Sequence, residues 1–377
     1  MVQQSSNCGN DQDNRLEPCR GEPRMDLEAI FADERFPNVV VALDGTVLAT
    51  WGSRTMVVRR SEDGGETWEE PISVGAGIHA GGVTVDEISG DILLFVHPEH
   101  PARDGSTTPR TQFRSTDAGR TWQAEEAVFH ADSHGYVPAL HMAEHGITLH
   151  HGDRPGRLLR PARVYLPEHG YNTAIYSDDH GRTWHASQPF PVTGTGEGAV
   201  AERADGSVYY SSRRHRFAPD EPWLHERLSA CSHDAGQAWT DPAYHPALPD
   251  GPRHRGTERR GACYNGHFGM MAGLCRLPLR DHDVLVYTNA DEDGHERVRM
   301  TVWGSFDGGR TWPVRRLVFE GPSAYSSVVA GRPGTPGEGW IYLLFEECQA
   351  GGRMARFNLP WLMRGDTTGD GPLPDGL

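Results

Sequence analysis

Long apolar runs are missing from this 377-residue chain: hydrophobic residues make up 37% of it and fall in short stretches bounded by Gly, Asp and Pro. Nothing approaches the run of about 20 apolar residues that a membrane-crossing helix needs, so no membrane span is expected. The first thirty residues, MVQQSSNCGNDQDNRLEPCRGEPRMDLEAI, are polar and hold no apolar core of the secretory-signal kind. The chain is therefore expected to be soluble and cytoplasmic; export is the alternative, and would permit a Cys8 to Cys19 bridge.

Positive charge is also in deficit. Lys and Arg total 36 against 52 Asp and Glu, a formal charge of −16. Binding to nucleic acid or to an anionic membrane through a broad basic face is thereby disfavoured, and an anionic ligand would need a local arginine cluster. The six cysteines, at 8, 19, 231, 263, 275 and 348, show neither a metal-ligand spacing nor a dense disulfide frame. They read as mostly buried thiols, and no metal or cofactor is expected.

What the chain has is turns and a repeat. Gly numbers 45 and Pro 27, which with short apolar stretches reads as all-β. SEDGGETW at 61, STDAGRTW at 115, SDDHGRTW at 177, SHDAGQAW at 232 and SFDGGRTW at 305 are five copies of S-x-D-x-G-x-T-W, with central aspartates 54, 62, 55 and 73 residues apart. That interval suits one four-stranded blade and a loop. In each copy the Asp accepts backbone N–H groups, Gly permits a positive φ and Trp packs between sheets. A calcium-loop reading is weaker, since no bidentate Glu stands at a fixed distance.

Five turns, with room for a sixth blade at Pro322 to Leu359, predict a six-bladed β-propeller over residues 29–364 as a single domain. The last blade is expected to be closed by a strand around Val39 to Thr50, which would remove exposed edges. Residues 1–28 read as a flexible lead and 365–377 as a flexible tail.

This repeat is the Asp box, and with five further segments it makes the chain resemble bacterial exo-sialidases over nearly its whole length. ERFPNVVVALDGTVLATW is similar to the family's Arg-Ile-Pro strand and puts Arg35 in the place of a first carboxylate-binding arginine. GEGAVAERADGSVYYSSRR has a glutamate followed sixteen residues later by an arginine, implying Glu197 and Arg213, with Arg214 as the rival. TNADEDGHERVRMTVWGSFDGGRTWP implies Arg297 as the third arginine; Arg299, two residues on, would share its strand face. GPSAYSS implies Tyr325, and YLLFEE implies Glu346 as a brace for Arg35.

The resemblance implies an exo-α-sialidase-like glycoside hydrolase acting with retention on sialylated or other acidic glycans. Three guanidinium groups would fix the sugar carboxylate through planar, charge-assisted hydrogen bonds. Sialidases use a tyrosine nucleophile, and a phenol, with an ordinary pKa of about 10, needs a carboxylate to take its proton. Tyr325 and Glu197 would fill those roles. Read alone, each arginine is a solvated charge, Tyr325 a strand-face aromatic and Glu197 a loop carboxylate.

One family feature is missing. The general acid/base aspartate belongs between the first arginine and the first Asp box, where ATWGSRTMVVRRSEDGG offers no Asp or Glu before Glu62. Three readings follow. Another residue donates the proton, His79 in GAGIHAGG first, with Asp132 and His134 behind it, among histidines that also include His141, His145, His150, His151 and His267. Alternatively the reaction is a β-elimination on a uronic-acid polysaccharide, or the pocket binds acidic sugars without cleaving them.

Overall fold

Inner strands of this chain are runs of small and β-branched residues, and outer strands are mixed. NVVV at Asn38–Val41 and TGEGAVAE at Thr195–Glu202 are buried at every position, whereas Met25–Phe31 and Ile72–Ala76 are mostly half-exposed or exposed. A strand covered on both faces needs no alternation and a rim strand does, so this gradient orders strands by distance from an axis. The computed structural model, which describes residues 21–216, 224–252, 269–279, 282–294, 296–347 and 351–374, realises that gradient as six antiparallel sheets around a common centre.

From the inside out, blade 1 is Asn38–Val41, Val47–Trp51, Thr55–Ser61 and Ile72–Ala76. Blade 2 has a broken inner strand, Ile78–His79 and Thr84–Val85, then Ile92–His97, Thr111–Ser115 and Gln123–Glu125. Blade 3 runs Ile147–Thr148, Leu158–Val164, Tyr171–Ser177, Thr183–Ala186, with Val128–Phe129 added in parallel at the rim. Blade 4 is Thr195–Glu202, Val208–Arg214, Glu226–Ser232 and Thr240–Pro249; blade 5 is Gly273–Arg276, Leu285–Ala290, Val298–Ser305 and Val314–Pro322. Blade 6 is Ser326–Ala330, Trp340–Glu346 and Gly352–Asn358.

The sixth blade takes its fourth strand from the other end of the chain. Met25–Phe31 pairs antiparallel with Gly352–Asn358, Leu27 opposite Ala355. This corrects the expected closure by Val39 to Thr50: those residues form the innermost hairpin of blade 1, too thoroughly buried for a rim. It also places Met25 to Glu28 in a strand, inside the expected 1–28 lead. At the other end, Asp366–Thr367 adds to the rim of blade 5 opposite Val314 and Arg315, inside the expected tail.

The same closure explains why six blades carry five Asp boxes. Each box joins the third strand of a blade to its fourth, and in blade 6 that junction is where the chain ends meet. There Asn358 instead caps the short helix Leu359–Met363, its side chain accepting from Trp361 N. In the boxes, Ser61 Oγ accepts from Gly65 N at 2.8 Å and Asp63 from Thr67 N at 2.9 Å; Ser305, Gly309, Asp307 and Thr311 repeat this at 2.8 and 2.9 Å. The box tryptophan reaches back to the preceding blade, as when Trp184 Nε1 donates to Gln112 and Trp239 Nε1 to Ser187, both at 2.9 Å. Hydrophobic clusters accordingly lie between blades, for example Val40, Leu48 and Val58 of blade 1 against Val85, Ile92 and Leu94 of blade 2.

Candidate active site

Residues far apart in sequence meet where inner strands begin. Arg35 lies in the link from the closing strand to blade 1, between two residues with left-handed backbone, Glu34 at φ 64° and Phe36 at φ 82°. Non-glycine residues hold such angles only when their surroundings impose them. The imposing contacts are visible: Glu34 accepts from Ser53 N at 2.6 Å and Arg54 N at 2.9 Å, and Phe36 N donates to Glu346 at 3.0 Å. Glu197 sits at a bulge where pairing with Val208–Arg214 slips between Gly196 and Gly198, and takes φ 38°. A bulge re-aims one side chain without ending the strand, and here it turns Glu197 onto Arg213.

Tyr325, directly ahead of the inner strand of blade 6, is the meeting point. Its hydroxyl donates to Glu197 Oε1 at 2.8 Å and accepts from Arg213 Nη1 at 3.2 Å. Arg213 also donates to the other oxygen of Glu197. The guanidinium carbons of Arg35 and Arg297 stand 5.1 and 5.3 Å from the Tyr325 ring centroid. Arg35 is gripped by Glu346 in a two-pronged pair at 3.1 and 2.8 Å, with Glu346 fully buried. The structure thus brings together Arg35, Glu197, Arg213, Arg297, Tyr325 and Glu346.

The electrostatics are those of an anion receptor. Burial pushes the Glu197 carboxyl up, but Arg213 and Arg163 outweigh it and hold the group at about 2. Burial likewise works against the charge on Arg35 and on Arg213, and their partners Glu346 and Glu197 more than compensate, raising both above the ordinary range. For Arg297 burial prevails: Tyr325 opposes it, while Arg213 and Arg35 lower the group further by repulsion. An anion placed among the three would relieve that repulsion.

The rival assignments separate on backbone geometry. Pairing of Val298–Ser305 with its neighbour shifts between Val298 and Met300, and Arg299 takes φ 63°. That irregularity breaks the alternation by which Arg297 and Arg299 were expected to share a face; Arg299 turns to the rim and pairs with Glu320. Arg214 points opposite to Arg213, as neighbours on a strand do, and binds Tyr244 and the carbonyl of Arg216.

His79 is not among the residues brought together, which corrects its expected part as proton donor. It is fully buried, its Nδ1 accepts from Gly81 N at 3.1 Å, and its Nε2 lies 2.8 Å from Thr50 Oγ1. Burial, aided by Arg160, lowers it to about 3, so at neutral pH it has no proton to donate as an acid. Asp132 is similarly occupied, accepting from Tyr171 Oη at 2.6 Å and from His134 N at 3.0 Å. The link Gly52–Arg54 is a tight turn pinned by Glu34. His267 and the cysteines at 8, 19, 263 and 348 lie outside the described residues; Cys231 and Cys275 are free thiols.

The Asp-box region from residue 78 to 336 matches the model of the BNR repeat-like domain. The chain belongs to that family of sialidase-like propellers. It is 30% identical over 365 residues to a sialidase of Micromonospora viridifaciens, covering 88% of this chain and 52% of that protein. Among solved structures, the Hadza microbial sialidase Hz136 superposes with a TM-score of 0.65 at 23% identity, covering 88% of this chain and 66% of that one. An intramolecular trans-sialidase from Ruminococcus gnavus, solved with oseltamivir carboxylate, gives 0.64 at 14%, covering 88% and 95%. The chain spans about half the length of the curated relatives it matches.

Around the meeting point this BNR repeat-like propeller adds residues that sequence reasoning missed, together with His141, which it had named among the histidines that could carry a proton. Phe36 stacks toward Tyr325 with ring centroids 6.4 Å apart, and His141 meets Phe36 edge-on at 5.6 Å. Met142, Met270 and Met271 complete an apolar wall with Tyr325. Arg163, on the second strand of blade 3, stands 3.9 Å from Glu197 Oε1 with its guanidinium 4.1 Å above the Tyr165 ring. The one available signal was position: Arg163 ends an inner strand pair at the same level as Arg213.

Proposed function

We propose that the protein is a sialidase-type glycoside hydrolase that holds the carboxylate of a terminal acidic sugar with Arg35, Arg213 and Arg297 and attacks its anomeric carbon with Tyr325. The observation that carries this reading is the Tyr325 hydroxyl, 2.8 Å from Glu197 Oε1 and ringed by those three guanidinium groups. A neutral nucleophile suits a substrate that carries its own carboxylate at the reacting carbon, since an anionic one would be repelled. As Tyr325 Oη bonds to that carbon and the bond to the leaving oxygen breaks, Glu197 takes the phenolic proton. Water then displaces the tyrosine oxygen, and configuration is retained overall.

Among the described residues, the carboxylates in contact with these groups, Glu197 and Glu346, are committed to arginines, and the Gly52–Arg54 turn carries no acid. We infer that the leaving group takes its proton from solvent. A positioned general acid is worth about 10²- to 10⁴-fold, so its lack gives a steep dependence on leaving-group acidity. Aryl sialosides should turn over at least about 10² times faster than alkyl-linked sialosides such as sialyllactose. Tyr325→Phe and Glu197→Gln, checked for folding by circular dichroism, should each abolish release of the fluorophore from an aryl sialoside. Undiminished turnover in both sinks the proposal.

The missing acid also favours a second reading, a propeller that binds acidic sugars without cleaving them. Saturable sialic acid binding with no product from even an aryl sialoside after long incubation would select it.

A further inference from the structure

Tyr325 and Glu197 meet across the hub from blades that are not neighbours, since blade 5 stands between blades 4 and 6. Strand pairing therefore does not set their separation. The link that enters blade 3 carries a fully buried carboxyl, Glu144, that joins the two. We propose that Glu144 is a positioning residue, a strut of fixed length between the strand that carries Glu197 and the strand that Tyr325 leads, and that it sets the contact between nucleophile and base. Its catalytic meaning rests on the glycosidase reading.

Both ends of the strut are hydrogen bonds. Glu144 N donates to the carbonyl of Gly198 at 3.0 Å, directly after Glu197 at the bulge in Thr195–Glu202. Glu144 Oε1 accepts from Val328 N at 2.8 Å, three residues past Tyr325 on Ser326–Ala330. His145 completes the grip, its Nε2 lying 3.1 Å from the carbonyl of Val328. The same link supplies Met142, held at φ 53°, to the apolar wall beside Tyr325.

The chemistry of the hub explains why a glutamate stands here. A buried carboxyl is costly unless its oxygens are filled. Oε2 receives Asn38 Nδ2 at 3.3 Å; burial pushes the group up, while Val328 N, the Ser327 hydroxyl and Leu274 N work against that rise. Both oxygens face donors, so an amide would set its own NH2 against one of them. Asn38 carries the grip on to blades 1 and 2: its Nδ2 also donates to the carbonyl of Ala143 at 3.3 Å, and its Oδ1 accepts from Val83 N at 2.9 Å. An aspartate, one methylene shorter, could not reach Val328 N without drawing the strand inward. A displacement of about 1 Å at reacting groups can cost about 10²-fold in rate.

The test separates length from stability. Glu144→Asp keeps the carboxyl and loses the length; Glu144→Gln keeps the length and sets a donor against donors; Trp312→Ala, in the blade 5 Asp box, is a control for lost stability alone. On each full chain the urea midpoint, kcat and KM for an aryl sialoside, and the Tyr325 Cζ resonance of carbon-labelled tyrosine are measured, that resonance being assigned by its loss in Tyr325→Phe. In Glu144→Asp, kcat should fall at least about tenfold with KM held within about threefold, and the resonance should move in the direction seen in Glu197→Gln. Glu144→Gln and Trp312→Ala should lose stability yet keep the native resonance and kcat within about threefold. A folded Glu144→Asp with native kcat and resonance overturns the strut. So does a tenfold loss of kcat in Glu144→Gln, whether or not Glu144→Asp folds, or a kcat that follows the urea midpoint across all three. Should the native chain turn over no aryl sialoside, the glycosidase reading falls by itself, and the resonance decides the strut: moved in Glu144→Asp it stands, unmoved it fails.

Discussion

Arg297 and Arg299 show how one irregularity in a strand decides which side chain can serve a site. Both are arginines two positions apart, and a regular strand would have pointed them the same way. The shift between Val298 and Met300 sends Arg299 to Glu320 at the rim and leaves Arg297 over Tyr325. Arg297→Ala should therefore weaken sialic acid binding by about tenfold or more, as loss of a charge-assisted pair does, and Arg299→Ala should change it less than twofold; calorimetry on both variants measures this. Most of the site was legible because Arg35, Glu197, Arg213, Arg297 and Tyr325 each stand beside a segment with its own pattern. Arg163 was not, since RPARVYL holds two arginines, Arg160 and Arg163, with no pattern that sets one apart. His79 misled because a histidine of ordinary pKa can donate a proton, whereas here it is buried against Gly81 N and Thr50 Oγ1.

At the scale of elements, the Asp box acts through its tryptophan as well as its hydrogen bonds. Trp312 is fully buried against Tyr209 and Tyr287, with ring centroids 6.5 and 5.9 Å away, while Trp122 is only partly buried. Removing a buried tryptophan costs about 3–5 kcal/mol, so Trp312→Ala should lower stability in urea by that order and Trp122→Ala by clearly less. Equal losses would show that the packing difference carries no weight. The repeat made five blades readable because each copy marks the same junction. The closing strand was not readable, because a strand contributed by the other chain end belongs to no copy and Met25–Phe31 resembles none.

Across the whole molecule, burial of histidine sets how stability responds to acid. Burial lowers His79 and His97 each to about 3 and holds His141, His145 and His245 below their ordinary value as well. These groups are neutral when folded and titrate near 6.5 when unfolded, so the unfolded chain binds more protons below that pH. The stability they contribute is present above about 6.5 and is lost as pH falls toward 3, at up to about 1.4 kcal/mol per pH unit for each. Urea midpoints should therefore drop steadily from pH 7 to pH 5, and a flat profile there would contradict the burial of these rings.

The central claim is that Tyr325 is positioned to bond with the anomeric carbon of an acidic sugar, and a 3-fluorosialosyl fluoride tests it most directly. Fluoride leaves without protonation, so the C–F bond breaks as the tyrosyl ether forms whether or not an acid is present, and the remaining fluorine slows release of the adduct. Intact-mass and peptide mapping after incubation should find one sialosyl group on Tyr325 in the native chain and none in Tyr325→Phe. A folded native chain that stays unlabelled at Tyr325 under saturating reagent, or one labelled elsewhere with equal yield in both proteins, would contradict the account.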